Sequence, residues 1–156
     1  MTVCFTGHRE ITADVRPSLI KVLRREVEEL IAQGADCFRA GGALGFDTLA
    51  ALTVLSLKRR HRHIRLELIL PCPTQAEHWS REDQAVYQRI LSRADSVTYV
   101  SPFYYNGLLL RRNDRLVEGS DVCLAYLTTS RGGTAYTFTK ALREGLEVIN
   151  VADLLN

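Results

Sequence analysis

Apolar positions in this chain fall in short runs, separated by longer stretches where they recur every three or four residues. Thr2–Thr6 is a β-rich run that stops at Gly7. Leu19, Leu23, Val27, Leu30 and Ile31 then form one helical stripe, with Pro17 suited to its first turn and Gly34 to its end. Asp36–Ala40 reads as the second strand. A helix from Phe46 to Arg59 follows, with Phe46, Leu49, Ala50, Thr53, Val54 and Leu57 on one face. Ile64–Leu70 is the third strand, closed by Pro71 and Pro73. A polar helix (Ser80–Ala94), a fourth strand (Ser96–Val100), a helix (Leu108–Glu118) and a strongly apolar fifth strand (Asp121–Leu127) come next. The last long helix is Thr134–Arg143, and Val148–Val151 is the final strand.

Short apolar strands separated by helices predict an α/β fold: a doubly wound, mostly parallel sheet with helices on both faces. No internal repeat or linker divides the chain, so one domain over residues 1–156 is expected. In such a sheet, ligands bind outside the carboxyl ends of the strands. Only the turns that leave a strand and enter a helix line that crevice. The two longest irregular stretches, Cys72–Ser80 and Ser101–Gly107, leave the third and fourth strands.

Composition narrows the field. Of 156 residues, 20 are Lys or Arg and 18 are Asp or Glu, a net charge of +2. That balance excludes a polybasic or polyacidic tail protein and leaves room for a local basic patch. No run approaches the ~18 apolar residues of a membrane span, and the first residues carry no basic leader, so a cytoplasmic protein is expected. Cys4, Cys37, Cys72 and Cys123 are far apart, with no CxxC pair. They read as small buried thiols in a reducing compartment, with no metal or resident cofactor expected.

Three strand-to-helix turns carry glycine: Thr6-Gly7-His8-Arg9, then Ala40 through Asp47 with Gly41, Gly42 and Gly45, then Thr128 through Thr134 with Gly132 and Gly133. A helix N-terminus presents unpaired N–H groups and a positive dipole end, and glycine lets backbone approach a phosphate closely. Thr134 suits either a helix cap or a hydroxyl donor to phosphate. No turn matches a Walker A loop or GxGxxG. Three such turns at one pole of one sheet point to a nucleotide-sized anion site.

The motifs TGHR (residues 6–9), GGALGFD (41–47), PCPTQAEHW (71–79), RRND (111–114) and GGT (132–134) together resemble the YpsA-like members of the SLOG superfamily. The resemblance runs in order along essentially the whole chain. It implies a Rossmann-like fold and a nucleotide-derived ligand, in a superfamily that includes the Lonely Guy phosphoribohydrolases and the DNA-uptake protein DprA. It implies phosphate contacts from Gly7 and Arg9, a second wall from Gly41, Gly42 and Gly45, an Arg112–Asn113 pair facing the ligand, and a second phosphate at Gly132, Gly133 and Thr134. It also suggests a homodimer. One departure stands out: where the Lonely Guy enzymes carry their catalytic glutamate, this chain has Thr137, and Arg131 replaces the proline before the glycines. Threonine is no general base at neutral pH, and no catalytic residue is assigned.

Each candidate has a plainer reading. Arg9 follows a Gly turn at the carboxyl edge beside an expected reversal between the first and fourth strands, which suits an anion clamp. Arg112 shares its helix with Arg111 and Arg115, some of which must be solvated charges. Asp47 reads as an acid matched to a helix dipole rather than a ribose ligand. His8 reads as a ligand contact or a packed ring. Glu77 is a candidate acid–base group, Trp79 a helix anchor or base-stacking ring, and Tyr104 and Tyr105 candidates for a lid. The run Lys58-Arg59-Arg60-His61-Arg62-His63 invites a nucleic-acid reading, yet it precedes a strand and so belongs to the pole opposite the glycine turns. The sequence therefore favours a binding protein of sensor type for a nucleotide-like small molecule. A Lonely Guy-type hydrolase is the alternative, a DprA-like single-strand DNA binder the second, with nucleic acid the less favoured partner.

Overall fold

The computed structural model describes residues 1–155. Strands β1 (Thr2–Gly7), β2 (Cys37–Ala40), β3 (Arg65–Leu70), β4 (Ser96–Tyr99), β5 (Val122–Tyr126) and β6 (Glu147–Asn150) alternate with helices α1 (Arg16–Ala32), α2 (Phe46–Lys58), α3 (Arg81–Arg93), α4 (Leu108–Val117) and α5 (Gly133–Arg143). A short 3-10 turn, Val151–Leu154, follows β6. The sheet order is β4-β3-β2-β1-β5-β6, and every pairing is parallel. This is the doubly wound Rossmann-like architecture.

The order corrects one expectation. The chain adds β2, β3 and β4 successively on one side of β1 before it crosses back, so β4 ends at the far edge and β5 lies beside β1. The reversal falls between β1 and β5, with Gly7 in register with Tyr126 at its carboxyl end. Right-handed crossovers then put α1–α3 on one face and α4 and α5 on the other. The larger core fills the first face with Leu19, Leu23 and Val27 of α1 and Phe46, Val54 and Leu57 of α2. The smaller core, on the second face, joins Cys4, Cys123, Leu116 and Ala141.

Local signals explain the helix ends. Ser80 accepts a hydrogen bond from the Asp83 amide at 3.1 Å and caps α3. Gly34 lies at φ +109 just past the end of α1, the left-handed position that glycine fills without strain. Helix α5 differs: its N-cap is Gly132, at φ +93, and no side chain caps it. Thr134 lies inside the helix, so the capping reading of Thr134 fails. Cys4, Cys72 and Cys123 are buried as expected, while Cys37 is only half-buried.

An aromatic row runs under the β1–β5 edge. The Phe5 ring stacks on Phe38 at 6.0 Å and meets Phe46 edge-on at 6.4 Å. Phe46 stacks on Tyr126 at 5.9 Å, and Tyr126 meets the His8 ring at 5.7 Å. Two members of this row, Phe5 and His8, line the functional site.

Candidate functional site

The carboxyl end of β1 opens into a cavity of about 280 Å³ at the strand-order reversal. Its walls come from β1 and the turn after it, from Ala43 in the turn after β2, from the start of α2, from α4, and from the N-terminus of α5. Seven of the residues expected from sequence line it together: Gly7, His8, Arg9, Arg112, Asn113, Gly133 and Thr134.

Arg112 is buried on α4. Its Nη1 donates to the Gly41 carbonyl and its Nε donates to Asn113 Oδ1 at 2.8 Å. Nη2 has no hydrogen-bond partner among the described residues. Burial lowers the Arg112 pKa from its ordinary value, and the nearby Asp47 carboxylate works against that. Arg112 is thus held in place rather than solvated, unlike its exposed neighbour Arg111. Asn113, its Oδ1 engaged, turns its amide nitrogen toward the start of α5, where a Cβ on Gly133 would meet it at 3.5 Å. Arg9 is exposed at the mouth.

His8 Nε2 accepts the Thr128 amide at 2.9 Å. The proton of the neutral ring is therefore on Nδ1, and burial lowers the ring's pKa, which favours that neutral form. The bond ties the turn after β1 to the loop between β5 and α5.

The glycines divide by role. A Cβ on Gly7 would lie 2.3 Å from the Phe46 ring. One on Gly41 would lie 2.9 Å from Arg112 Nη1, and one on Gly45 2.2 Å from the Arg9 carbonyl. One on Gly42 would strike Leu70. Gly41, Gly42 and Gly45 do not line the cavity. They let the turn after β2 cross the turn after β1 and let Arg112 lie flat on the backbone. The glycines of the expected second wall thus pack against protein, and that turn reaches the cavity through Ala43 and Asp47. Gly132 caps α5 outside the cavity.

Glu77 and Trp79 also lie outside it. Trp79 meets Tyr87 of α3 edge-on at 5.2 Å and joins the larger core, which makes it an anchor for that helix. Glu77 is exposed and pairs with His78 at 3.3 Å, on a separate surface groove beside α3. The loop containing both turns outward because Gln75 ties it to the Gly42 carbonyl at 2.9 Å.

Sequence reasoning named one further group but assigned it to the helix dipole. Asp47 is buried in the first turn of α2 and lines the cavity. Its Oδ2 accepts the Ala43 amide at 3.2 Å. Burial pushes its pKa up to about 6, against the pull of Arg112, the Ala43 amide and Arg9. Its place at the end of the GGALGFD turn was the available signal. Leu109 and Leu110 of α4, on the far wall, were taken only as helix residues.

A parallel α/β sheet with a polar cavity at its switch point, walled by two arginines and an uncapped helix N-terminus, defines the Rossmann-like class, in which ligands bind at that crevice. The sequence model of the YspA SLOG family (YpsA) matches residues 3–150, and the chain belongs to that family. UPF0398 protein BH1768 of Halalkalibacterium halodurans is 31% identical over 82% of this chain and 66% of its own length. The SPbeta prophage-derived protein YoqJ of Bacillus subtilis, described as uncharacterized, is 28% identical over 76% of this chain and 78% of its own. The chain spans about two thirds of the length of the UPF0398 relatives. Among solved structures, DNA processing protein A of Helicobacter pylori superposes with a TM-score of 0.68 at 23% identity, covering 95% of this chain and 63% of that one. DprA of Streptococcus pneumoniae gives 0.64 at 17% identity, covering 94% and 48%. At those identities the likeness is one of fold. Among the described residues no helix is long and apolar enough to cross a membrane.

Proposed function

We propose that this chain binds a nucleotide-derived phosphate ligand in the crevice between β1 and β5 and acts as a sensor of it. The observation that carries this reading is the meeting of Arg9, Arg112 and Asn113 with the uncapped start of α5 in one cavity. The free N–H groups of that helix face a site where two guanidinium groups add positive charge, the combination that favours phosphate. The cavity is small against the ~300–1,000 Å³ of drug-sized sites. It suits the sugar-phosphate part of a ligand, with any base extending past Leu109 and Leu110.

A hydrolase of Lonely Guy type gains no support at Thr137. That residue is fully buried and its hydroxyl donates to the Gly133 carbonyl at 2.8 Å. Purified protein given AMP is expected to release no adenine above a buffer control, and sustained release would revive this alternative.

Single-stranded nucleic acid is a stronger second reading than the sequence suggested. The basic run at 58–63 does lie at the opposite pole, but the loop before α4 exposes Phe103, Tyr104 and Tyr105 beside the cavity-lining Leu109 and Leu110. Exposed aromatics next to arginine suit base stacking, and the Helicobacter pylori neighbour is described as a single-stranded DNA binder.

A thermal-shift panel of nucleotides, NAD, ADP-ribose, cyclic nucleotides and oligo-dT tests these readings. A true ligand at ~100 times its dissociation constant adds about 2.7 kcal/mol, a rise of several degrees. A rise with a small nucleotide supports the proposal, and one with oligo-dT alone supports the second reading. No rise with any compound contradicts both. Light scattering on the same samples tests the homodimer that the family resemblance suggests.

A further inference from the structure

Asp47 is the only acid among the described residues that line the cavity. It stands where the reading above puts an anion. Oδ2 is used by the Ala43 amide, and Oδ1 accepts no hydrogen bond among the described residues. Neither Asp47 nor Arg112 closes an ion pair. If the side chain served only to hold the Ala43 amide, asparagine would do so without burying a charge. An unpaired buried carboxylate is costly, so its presence at a ligand cavity needs a reason that an amide would not satisfy. A carboxylate oxygen is an acceptor only. A ligand facing it must offer a donor, and the neutral donors attached to a phosphate in a nucleotide-derived compound at this depth are sugar hydroxyls.

We infer that Asp47 is the sugar-recognition group of the crevice: its free Oδ1 accepts from the hydroxyls of a ribosyl phosphate whose phosphate lies at Arg9 and the start of α5. The inference rests on the phosphate site proposed above and adds the class of ligand, a hydroxyl-bearing sugar phosphate rather than a bare anion. The carboxylate also repels a phosphate that slides inward, which fixes the orientation with sugar deep and phosphate toward the mouth. The charged or titratable groups facing Asp47 are Arg112 from α4 and Arg9 from the turn after β1.

Calorimetry with ribose 5-phosphate and with propyl phosphate, an equally charged monoester without hydroxyls, separates the two contributions. The wild-type chain is expected to bind ribose 5-phosphate about ten-fold or more tightly, the worth of one charge-assisted hydrogen bond. In Asp47→Asn, which keeps the Ala43 bond, that preference should fall to within about two-fold, while propyl phosphate affinity is held or improved. Asp47→Ala should behave alike, and retained binding of propyl phosphate shows that each variant is folded. Equal affinity for both esters in the wild type overturns the inference, as does a preference that survives in both variants. Binding of propyl phosphate alone overturns it too and leaves the phosphate site standing. Binding of neither ester contradicts the phosphate site itself, and the inference with it.

Discussion

At the scale of single residues, the informative positions combine burial with polarity. The GGALGFD turn was read as an anion-site motif and its last residue as an acid serving the helix dipole; the structure brings the turn to the cavity through Ala43 and that last residue, Asp47. Sequence spacing places Asp47 in a first turn and cannot show that the turn is closed over by Arg112, a residue 65 positions later. The same closure decides Arg112, whose partners Gly41 and Asn113 appear only when α4 lies across the end of β2. Asp47 gives a prediction of its own. Its carboxyl goes from an ordinary 3.8 to about 6 in the fold. With the folded value raised, the native state holds a proton that the unfolded chain has released between those two values. The group therefore destabilises the fold as pH rises from about 4 to about 6, and the full penalty is present above that. At about 1.4 kcal/mol for each tenfold in proton affinity, the penalty is on the order of 3 kcal/mol. Asp47→Asn should accordingly be more stable than wild type at pH 8, with the difference shrinking toward pH 4. Denaturant titrations at the two pH values check this, and the comparison cancels other titrating groups such as His8. A variant less stable than wild type at pH 8 would mean that the charge is compensated in the empty cavity.

Elements were legible to within a residue or two, since their signals are local: an apolar stripe, Ser80 as a cap, glycines past helix ends. The joints between elements were not. Gly7, Gly41 and Gly45 were read as phosphate-approach glycines, and sequence alone did not show that a side chain at each would also collide with Phe46, Arg112 or the Arg9 carbonyl. The contact of β1 with α2 is the tightest case. Phe46, the first residue of α2, is fully buried between Phe5 and Tyr126, and its amide donates to the His8 carbonyl at 3.0 Å. A methyl group on Gly7 would overlap its ring at 2.3 Å, and the ring has nowhere to move. Gly7→Ala should destabilise the chain by about 1–3 kcal/mol or more, as overpacking does. The expected result in denaturant unfolding is a lower midpoint with an unchanged slope. An unchanged midpoint would show that α2 shifts freely against the sheet.

For the whole molecule, the alternation of strands and helices was enough to give the fold class, because parallel pairing and right-handed crossovers leave few topologies. The position of the reversal was not legible. Nothing local distinguishes a chain that returns after three strands from one that returns after four, and the choice rests on long-range pairing of β1 with β5. That choice puts Arg9 at the mouth of the cavity and Arg60, just past the end of α2, at the other pole. The central claim is that charge at the first pole makes a site, while charge at the second is a solvated surface. Calorimetric titration of Arg9→Ala and Arg60→Ala with the tightest compound of the nucleotide panel tests it most directly. Loss of one charge-assisted contact should weaken binding by Arg9→Ala by about 1.5–3 kcal/mol. Arg60→Ala should leave affinity unchanged, and neither variant should alter the melting temperature of the free protein appreciably. Equal losses in both variants would mean diffuse electrostatic attraction without a site, and undiminished affinity in Arg9→Ala would place the ligand elsewhere.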